Sequence, residues 1–135
     1  MDTVSKAWRS EIMARVRSKN SKAELLVRQL VFALGYRYRL HVANVPGHPD
    51  LVFRSRKKVI FVHGCFWHRH ENCALARMPK SRLDFWEPKL NANRERDRRV
   101  ADQLAELGWQ RLTLWECQIN DEESLKTRIR RFLDA

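Results

Sequence analysis

The residues best suited to chemistry in this sequence lie in one short stretch, IFVHGCFWHRHENC, which runs from Ile60 to Cys73. Three of the five histidines and two of the three cysteines fall within eleven residues of that stretch. Phe66 and Trp67 are embedded among them. The stretch therefore combines possible metal ligands, possible proton-transfer groups and bulky rings in one loop.

The cysteines and histidines predict a metal site. Structural zinc takes four ligands, usually thiolate and imidazole, in tetrahedral geometry. Cys65 and Cys73 come from the loop, and Cys117 follows the last predicted strand. His68 and His70 compete for the remaining position, and their spacing does not decide between them. The alternative is that the cysteines are small buried hydrophobes, but their clustering with histidines favours a metal.

An aspartate and a histidine stand at the ends of two predicted strands. Asp50 precedes the strand that follows Gly47 and Pro49, and His63 ends the next strand. If these strands are neighbours, Asp50, the backbone around Val62 and His63 lie at one edge of a sheet. An aspartate with a backbone carbonyl is a common way to hold Mg²⁺. The alternative is that Asp50 is a turn residue that binds a backbone amide.

Two further carboxylates have both a functional and a structural interpretation. On a helix, Asp97 shares a face with Val100 and Leu104, so its carboxylate points toward the apolar side. A carboxylate in that place needs a partner, which is either an arginine or a functional site. Glu24 stands three residues after Ser21 and fits a capping box.

Two aromatic pairs, Phe66–Trp67 and Phe85–Trp86, accompany these polar groups. Aromatic pairs usually belong to a hydrophobic core. A loop held by a metal has little core of its own, however, and apolar wedges can insert between base pairs and kink a duplex. Intercalation is therefore a hypothesis for Phe66 and Trp67, and a weaker one for Trp86, which a helix could bury.

The elements that position these residues follow from the periodicity and the turn signals. The pattern predicts a buried helix ending at Gly35, three short strands, a long helix with a kink or break at Pro88, a further strand and a final amphipathic helix. The corresponding segments are SKAELLVRQLVFALG, YRYRLH, DLVFRS, KVIFVH, SRLDFWEPKLNANRERDRRVADQLAELG, WQRLTLW and DEESLKTRIRRFL. This order predicts an α/β fold with a central mixed sheet flanked by helices.

Composition narrows the class of protein. With 135 residues, of which 44% are hydrophobic and 32% charged, the chain has the size and balance of one globular domain. A formal net charge of +11 suits a polyanionic partner, either nucleic acid or a membrane surface. The sequence has no apolar run of membrane-spanning length and no signal peptide, so we expect a cytoplasmic protein.

Four segments of the sequence carry a resemblance to a known family. GHPDLVF, VIFVHGCFWHRHENC, FWEPKLNANRERDRR and ELGWQRLTLWEC occur in this order between about residue 6 and residue 120. Together they resemble the bacterial very-short-patch repair endonucleases. The resemblance implies a restriction-endonuclease-like fold of the PD-(D/E)XK type, although FVH stands here where restriction enzymes carry an acid and a lysine.

The resemblance also implies an activity and partners. It implies a Mg²⁺-dependent enzyme that nicks double-stranded DNA 5′ to the T of a T:G mismatch, which arises when 5-methylcytosine deaminates. From their basic composition, residues 1–20 would form an arm or a loosely packed helix that contacts DNA, and residues 21–135 a single endonuclease domain with a zinc-stabilised loop. No dimerisation surface is evident in the sequence, so monomer is the default expectation. The resemblance places the protein at the bacterial nucleoid, with repair proteins as possible further partners.

The same resemblance implies roles for individual residues. Mg²⁺ would be held by Asp50 and the Val62 carbonyl, with His68 as general base or acid and His63 near the scissile phosphate. Glu24 and Asp97 would be supporting carboxylates. The zinc ligands would be Cys65, His70, Cys73 and Cys117, and the residues wedged into DNA would be Met13, Phe66, Trp67 and Trp86.

Two alternative functions fit part of the same pattern. The first is a zinc-stabilised DNA-binding module without catalysis, which explains the charge, cysteines and rings but not Asp97 or the Asp50–His63 pairing. The second is a restriction-like nuclease that acts on another DNA target. Mg²⁺-dependent cleavage separates the first alternative from the nucleases, and substrate preference separates the second.

Overall fold

The computed structural model describes residues 22–68, 70–76 and 81–135. Its regular elements in chain order are α1 (Lys22–Ala33), β1 (Leu51–Phe53), β2 (Lys58–His63), α2 (Leu83–Glu106), β3 (Gln110–Trp115) and α3 (Glu122–Asp134). The predicted N-terminal arm, Met13 and the Ser21 half of the capping box lie outside the described residues. None of the described helices combines the length and hydropathy that crossing a bilayer would require.

The three strands form one mixed sheet in the order β1-β2-β3. β1 pairs with β2 in antiparallel orientation, with Leu51 opposite Ile60, and β2 pairs with β3 in parallel orientation, with His63 opposite Trp115. The predicted mixed sheet is therefore confirmed. Because β1 and β2 are neighbours, the start of β1 and the end of β2 lie at the same edge of the sheet.

Both faces of the sheet are covered. Ile60 and Val62 of β2 belong to a core cluster that includes residues of α1 and α3. The alternate residues Val59 and Phe61 belong to a second cluster, with Leu104 of α2. Since side chains alternate along a strand, His63 continues the row that faces α2. The fold thus directs His63 toward the helix that carries Asp97.

The N-terminal end of β2 is tied to the end of α3. The Lys58 side chain is only 5% exposed. Its ammonium group donates to the carbonyl oxygens of Phe132 at 2.6 Å and Ala135 at 2.7 Å. A cation suits the partial negative charge at a helix C-terminus. Lys58 therefore fixes α3 against the sheet at the end of β2 opposite His63.

Two predicted features differ in the structure. The strand predicted for residues 36–41 is reduced to one bridge between Arg39 and Val52, because His41 adopts a left-handed φ of 54° that ends the extended backbone. The predicted break at Pro88 is absent from α2, which runs from Leu83 through Pro88. Pro88 is the sixth residue of α2, so the helix lacks the bond from this position to the Asp84 carbonyl but continues on both sides of it.

Candidate active site and metal centre

The three cysteines and one histidine of the predicted zinc site come together. The ligand atoms of Cys65, His70, Cys73 and Cys117 all lie within 4.8 Å of one another. His70 Nδ1 is 3.6 Å from Cys65 Sγ and 3.4 Å from Cys117 Sγ. The structure thus brings His70 rather than His68 to the cysteines. Three thiols and one imidazole around a common centre could hold a metal ion of the kind that prefers soft ligands.

The environment of these thiols disfavours their ionisation unless a cation is near. Burial raises the pKa of the Cys65 thiol to about 12, and burial also raises the pKa of Cys117. Thiolates are the form that binds metal, so a positive ion would have to supply the stabilisation that water cannot provide here.

Residues at the end of β3 support this group. The Trp115 ring stacks on His70 with centroids 4.1 Å apart, and the Glu116 carboxylate accepts a hydrogen bond from the Cys65 amide at 3.0 Å. An ion pair between Glu71 and Arg94 also joins the loop to α2. The loop is thereby held by β3 on one side and by α2 on the other.

A pair of carboxyl groups, of which Glu24 is buried and Asp50 half-buried, lies at the sheet edge. Asp50 Oδ2 accepts a hydrogen bond from the Val62 amide at 2.6 Å, so the amide it binds belongs to β2 rather than to its own turn. The side chain of Glu24, only 2% exposed, is hydrogen-bonded to Asp50 and forms an ion pair with Arg28. Glu24 therefore takes part in a side-chain network, and its role extends beyond a helix cap.

This pair favours the retention of a proton. Burial, followed by the hydrogen bond and charge of Glu24, raises the pKa of Asp50 to about 8, against the opposing effects of the Val62 amide and Arg28. Two adjacent carboxyl groups cannot easily both be ionised unless a cation accompanies them. A hard divalent ion fits such an oxygen donor set.

At the end of β2, two histidines and Asp97 form a second cluster. His68 Nδ1 lies 2.7 Å from Asp97 Oδ2, so Asp97 pairs with a histidine where an arginine was the structural alternative. The His63 ring stacks on His68, with centroids 3.7 Å apart and planes within 6°. The ligand atoms of these three residues lie within 4.8 Å of one another and could also hold a metal.

The His63 imidazole stays neutral at ordinary pH. Burial, followed by the charge of nearby His68, lowers its pKa to about 3. Among the described residues, the buried Nδ1 of His63 has no hydrogen-bond partner. His63 is thus a neutral ring with unused hydrogen-bonding capacity beside the His68–Asp97 pair.

The four rings predicted as core or wedge form one cluster beside the loop. Trp86 contacts Phe66 and Trp67 with centroid distances of 5.3 and 6.0 Å, and Phe85 at 4.9 Å. Phe85 remains 39% exposed. The ammonium group of Lys89 lies 5.5 Å from the Trp67 ring and 5.7 Å from the Phe85 ring. The cluster is therefore a partly exposed aromatic surface with a cation beside it.

Several residues of the site were missed from sequence. Arg28 follows Glu24 by four residues, a spacing that places both on one helix face and would have suggested the ion pair. Trp115 contacts the rings of His63 and His70, and Asn93 donates to the Trp67 carbonyl at 3.2 Å. No local pattern signals the contacts of Trp115 and Asn93, because they depend on how distant segments pack.

Comparisons with known proteins give this site its context. The sequence matches the protein family described as "DNA mismatch endonuclease Vsr" over residues 1–75. It is 49% identical over 133 residues to the type II nicking enzyme V.XorIIP of Xanthomonas oryzae pv. oryzae, covering 98% of this chain and 97% of that one. It is 40% identical over 124 residues to the DNA mismatch endonuclease Vsr of Escherichia coli, covering 92% and 79% of the two chains.

A third relative, the type II nicking enzyme V.NmeAIP of Neisseria meningitidis serogroup A, is 36% identical over 132 residues, with 98% and 94% of the chains covered. A small α/β protein with this site and these relatives is a DNA endonuclease, a hydrolase that acts on phosphodiester bonds. The hypothesis of a DNA-binding module without catalysis is therefore wrong. Within that class, the chain belongs to the DNA mismatch endonuclease Vsr family.

Proposed function

We propose that this endonuclease nicks one strand of double-stranded DNA on the 5′ side of the T in a T:G mismatch produced by deamination of 5-methylcytosine, and that it requires Mg²⁺. The proposal is carried by the hydrogen bond that ties Asp50 to the end of β2, together with the contact between His68 and Asp97. The name of the Escherichia coli relative, a DNA mismatch endonuclease, supports the mismatch as the target.

The proposed fold is that of the restriction endonucleases of the PD-(D/E)XK type. A mixed sheet with helices on both faces and an aspartate at the head of β1 supports it. Residues 61–63, FVH, would replace the acid and lysine of that motif, so the histidines take over the proton chemistry. Residues 21–135 would form the single endonuclease domain, with residues 1–20 as the basic arm on DNA.

The proposed ligands for Mg²⁺ are Asp50 and the Val62 carbonyl. The carboxyl pair supports this assignment, because it needs either a proton or a cation to be stable. When bound there, Mg²⁺ would polarise the phosphate and stabilise the leaving oxyanion. Glu24 would support the site from its position against Asp50.

Proton transfer is assigned to the histidines. If Asp97 is ionised, the 2.7 Å contact places a proton on His68 Nδ1 and leaves the lone pair on Nε2 free to remove a proton from the attacking water. Asp97 would hold this tautomer and ring orientation, as a carboxylate does in other histidine-based sites. His63, neutral and with an unused ring nitrogen among the described residues, would donate or accept a hydrogen bond at the scissile phosphate.

A structural zinc ion is proposed for the Cys65–His70–Cys73–Cys117 group. The donor set and its compact geometry support zinc. The purified protein should contain about one zinc per chain, measured by atomic emission. Cys65→Ser should lose the metal or misfold, and a well-folded, metal-free wild type would refute the assignment.

The aromatic cluster is proposed as the wedge that enters the duplex beside the mismatch. Phe66, Trp67 and Trp86 support each other through edge-to-face contacts, and their partial exposure leaves surface for stacking on bases. Met13 would act from the N-terminal arm. With a net charge of +11 and DNA as substrate, the enzyme would reside at the nucleoid in the bacterial cytoplasm.

The test uses labelled duplexes that differ only in T:G versus T:A at one position, placed in the context of a cytosine-methylation site. We expect Mg²⁺-dependent nicking 5′ to the mismatched T only, and loss of nicking but retained binding in Asp50→Asn. Equal cutting of both duplexes would mean a restriction-like nuclease with another DNA target. Cutting that persists in Asp50→Asn would remove Asp50 from the proposed metal site.

A further inference from the structure

Arg28 is a buried charge that the proposed chemistry leaves unused. It lies on α1 four residues after Glu24, and the two side chains form an ion pair with exposures of 13% and 2%. Glu24 is in turn hydrogen-bonded to Asp50, which binds the Val62 amide. The Arg28 guanidinium is therefore linked through the Glu24 side chain to the Asp50 carboxylate, which is proposed to bind Mg²⁺.

The charges of this group have a simple consequence. The guanidinium of Arg28 and a divalent cation held by Asp50 are like charges, so Arg28 opposes binding of the cation. A DNA phosphodiester brings a negative charge that offsets this repulsion.

We propose that Arg28 is a positioning residue, whose guanidinium fixes the Glu24 carboxylate beside Asp50 and keeps divalent cations weakly bound until a DNA phosphate joins the site. The inference rests on the proposed function of Asp50. It adds that the acidic pair is held in place by an internal counter-ion, so that the site fills with metal and substrate together.

The fixed geometry has a structural basis. Glutamate four residues before arginine is the favourable order for a helical ion pair. An arginine fork is also more rigid than a lysine ammonium, so it restricts the direction of the Glu24 carboxylate as well as its charge. Neutral Gln at position 28 would remove the charge and retain much of the side-chain volume.

The experiment measures Mg²⁺ binding to the DNA-free, zinc-loaded protein by calorimetry and by the rise of Tm with Mg²⁺. Arg28→Gln should bind Mg²⁺ about tenfold more tightly than the wild type, which equals about 1.4 kcal/mol. Its kcat for nicking should fall about tenfold while KM for DNA stays within about twofold, since an orientation is lost but no DNA contact. Arg28→Lys should restore the weak binding of Mg²⁺ because it retains the charge.

The matched control is Arg98→Gln, which breaks an exposed i,i+3 ion pair with Glu95 on α2. This variant should change neither the Mg²⁺ affinity nor kcat. Mg²⁺ affinity that is unchanged or weaker in Arg28→Gln, while Asp50→Asn abolishes Mg²⁺ binding, would overturn the role of Arg28 and leave the metal site intact. If instead Asp50→Asn binds Mg²⁺ as the wild type does, the proposed metal site itself is wrong.

Discussion

The carboxyl pair at the sheet edge predicts an unusual dependence of stability on pH. The pKa of Asp50 rises from 3.8 to about 8 on folding, chiefly because of burial. Between these two values the native state holds a proton that the unfolded chain has lost. The free energy of unfolding of the magnesium-free protein should therefore fall as the pH rises.

The magnitude follows from proton linkage. One proton of difference changes the free energy of unfolding by about 1.36 kcal/mol per pH unit, so the interval from pH 5 to pH 8 gives an upper limit of about 4 kcal/mol. Because the surroundings of a half-buried carboxyl group can relax when it ionises, we expect about half of that limit. His63 has the opposite sign: its pKa is lowered to about 3, so its contribution to stability increases with pH up to the ordinary value of 6.5.

The variant Asp50→Asn separates the contribution of the Asp50 carboxyl group to the pH dependence from that of His63. Asparagine can still accept from the Val62 amide, but it carries no proton to lose. The assay is urea unfolding at pH 5, 6, 7 and 8 in magnesium-free buffer, with zinc retained. The free energy of unfolding of the wild type minus that of Asp50→Asn should fall by about 2 kcal/mol or more over this range. Saturating Mg²⁺ should restore the stability of the wild type at pH 8. Parallel pH profiles for the two proteins would refute the raised pKa of Asp50.

Three further substitutions test other parts of the structure. Lys58→Met should lower the free energy of unfolding by about 2 kcal/mol, because carbonyls at the end of α3 lose a charged donor, whereas exposed Lys57→Met should change it little in the same urea titration. Gly47→Ala should lower the Tm more than Gly35→Ala does. Both glycines have a left-handed φ, but only at Gly47 would the new Cβ lie 2.4 Å from Val100 Cγ1. Asp97→Asn should lower kcat for nicking by about 10²- to 10⁴-fold, because the carboxylate no longer holds the His68 tautomer. The control is Asp102→Asn, at an exposed position of the same helix. An unchanged kcat in single-turnover assays would refute a role of the His68–Asp97 pair in the reaction.

Local sequence patterns predicted the parts of the site that lie close together in the chain. The short connection between β1 and β2 makes an antiparallel pair the natural outcome, and this pair brings Asp50 to Val62. The spacing of the cysteines and histidines predicted the metal group for a similar reason. The helical face shared by Asp97 and Val100 predicted a carboxylate that needs a partner.

The remaining features depend on contacts that local patterns do not encode. The choice of His70 over His68 follows from the path of the loop, in which His68 N–H donates to the Gly64 carbonyl and His70 N–H to the Cys65 carbonyl. The place of Trp115 follows from the parallel pairing of β3 with β2 across a long helical connection. Parallel register is set by packing against both faces, so it could not be read from either strand alone.

That parallel pairing joins the two clusters into one site. The Trp115 ring lies 5.1 Å from His63, 6.4 Å from His68 and 4.1 Å from His70, measured between centroids. The Trp115 indole therefore contacts the stacked pair His63 and His68, and also His70 of the Cys65–His70–Cys73–Cys117 group. Because His68 also stands in the chain between Cys65 and His70, anything that holds these two residues limits where the His68 ring can lie. The Cys65–His70–Cys73–Cys117 group and the His68–Asp97 pair thus share Trp115 as a support, so disruption of the first should displace the second.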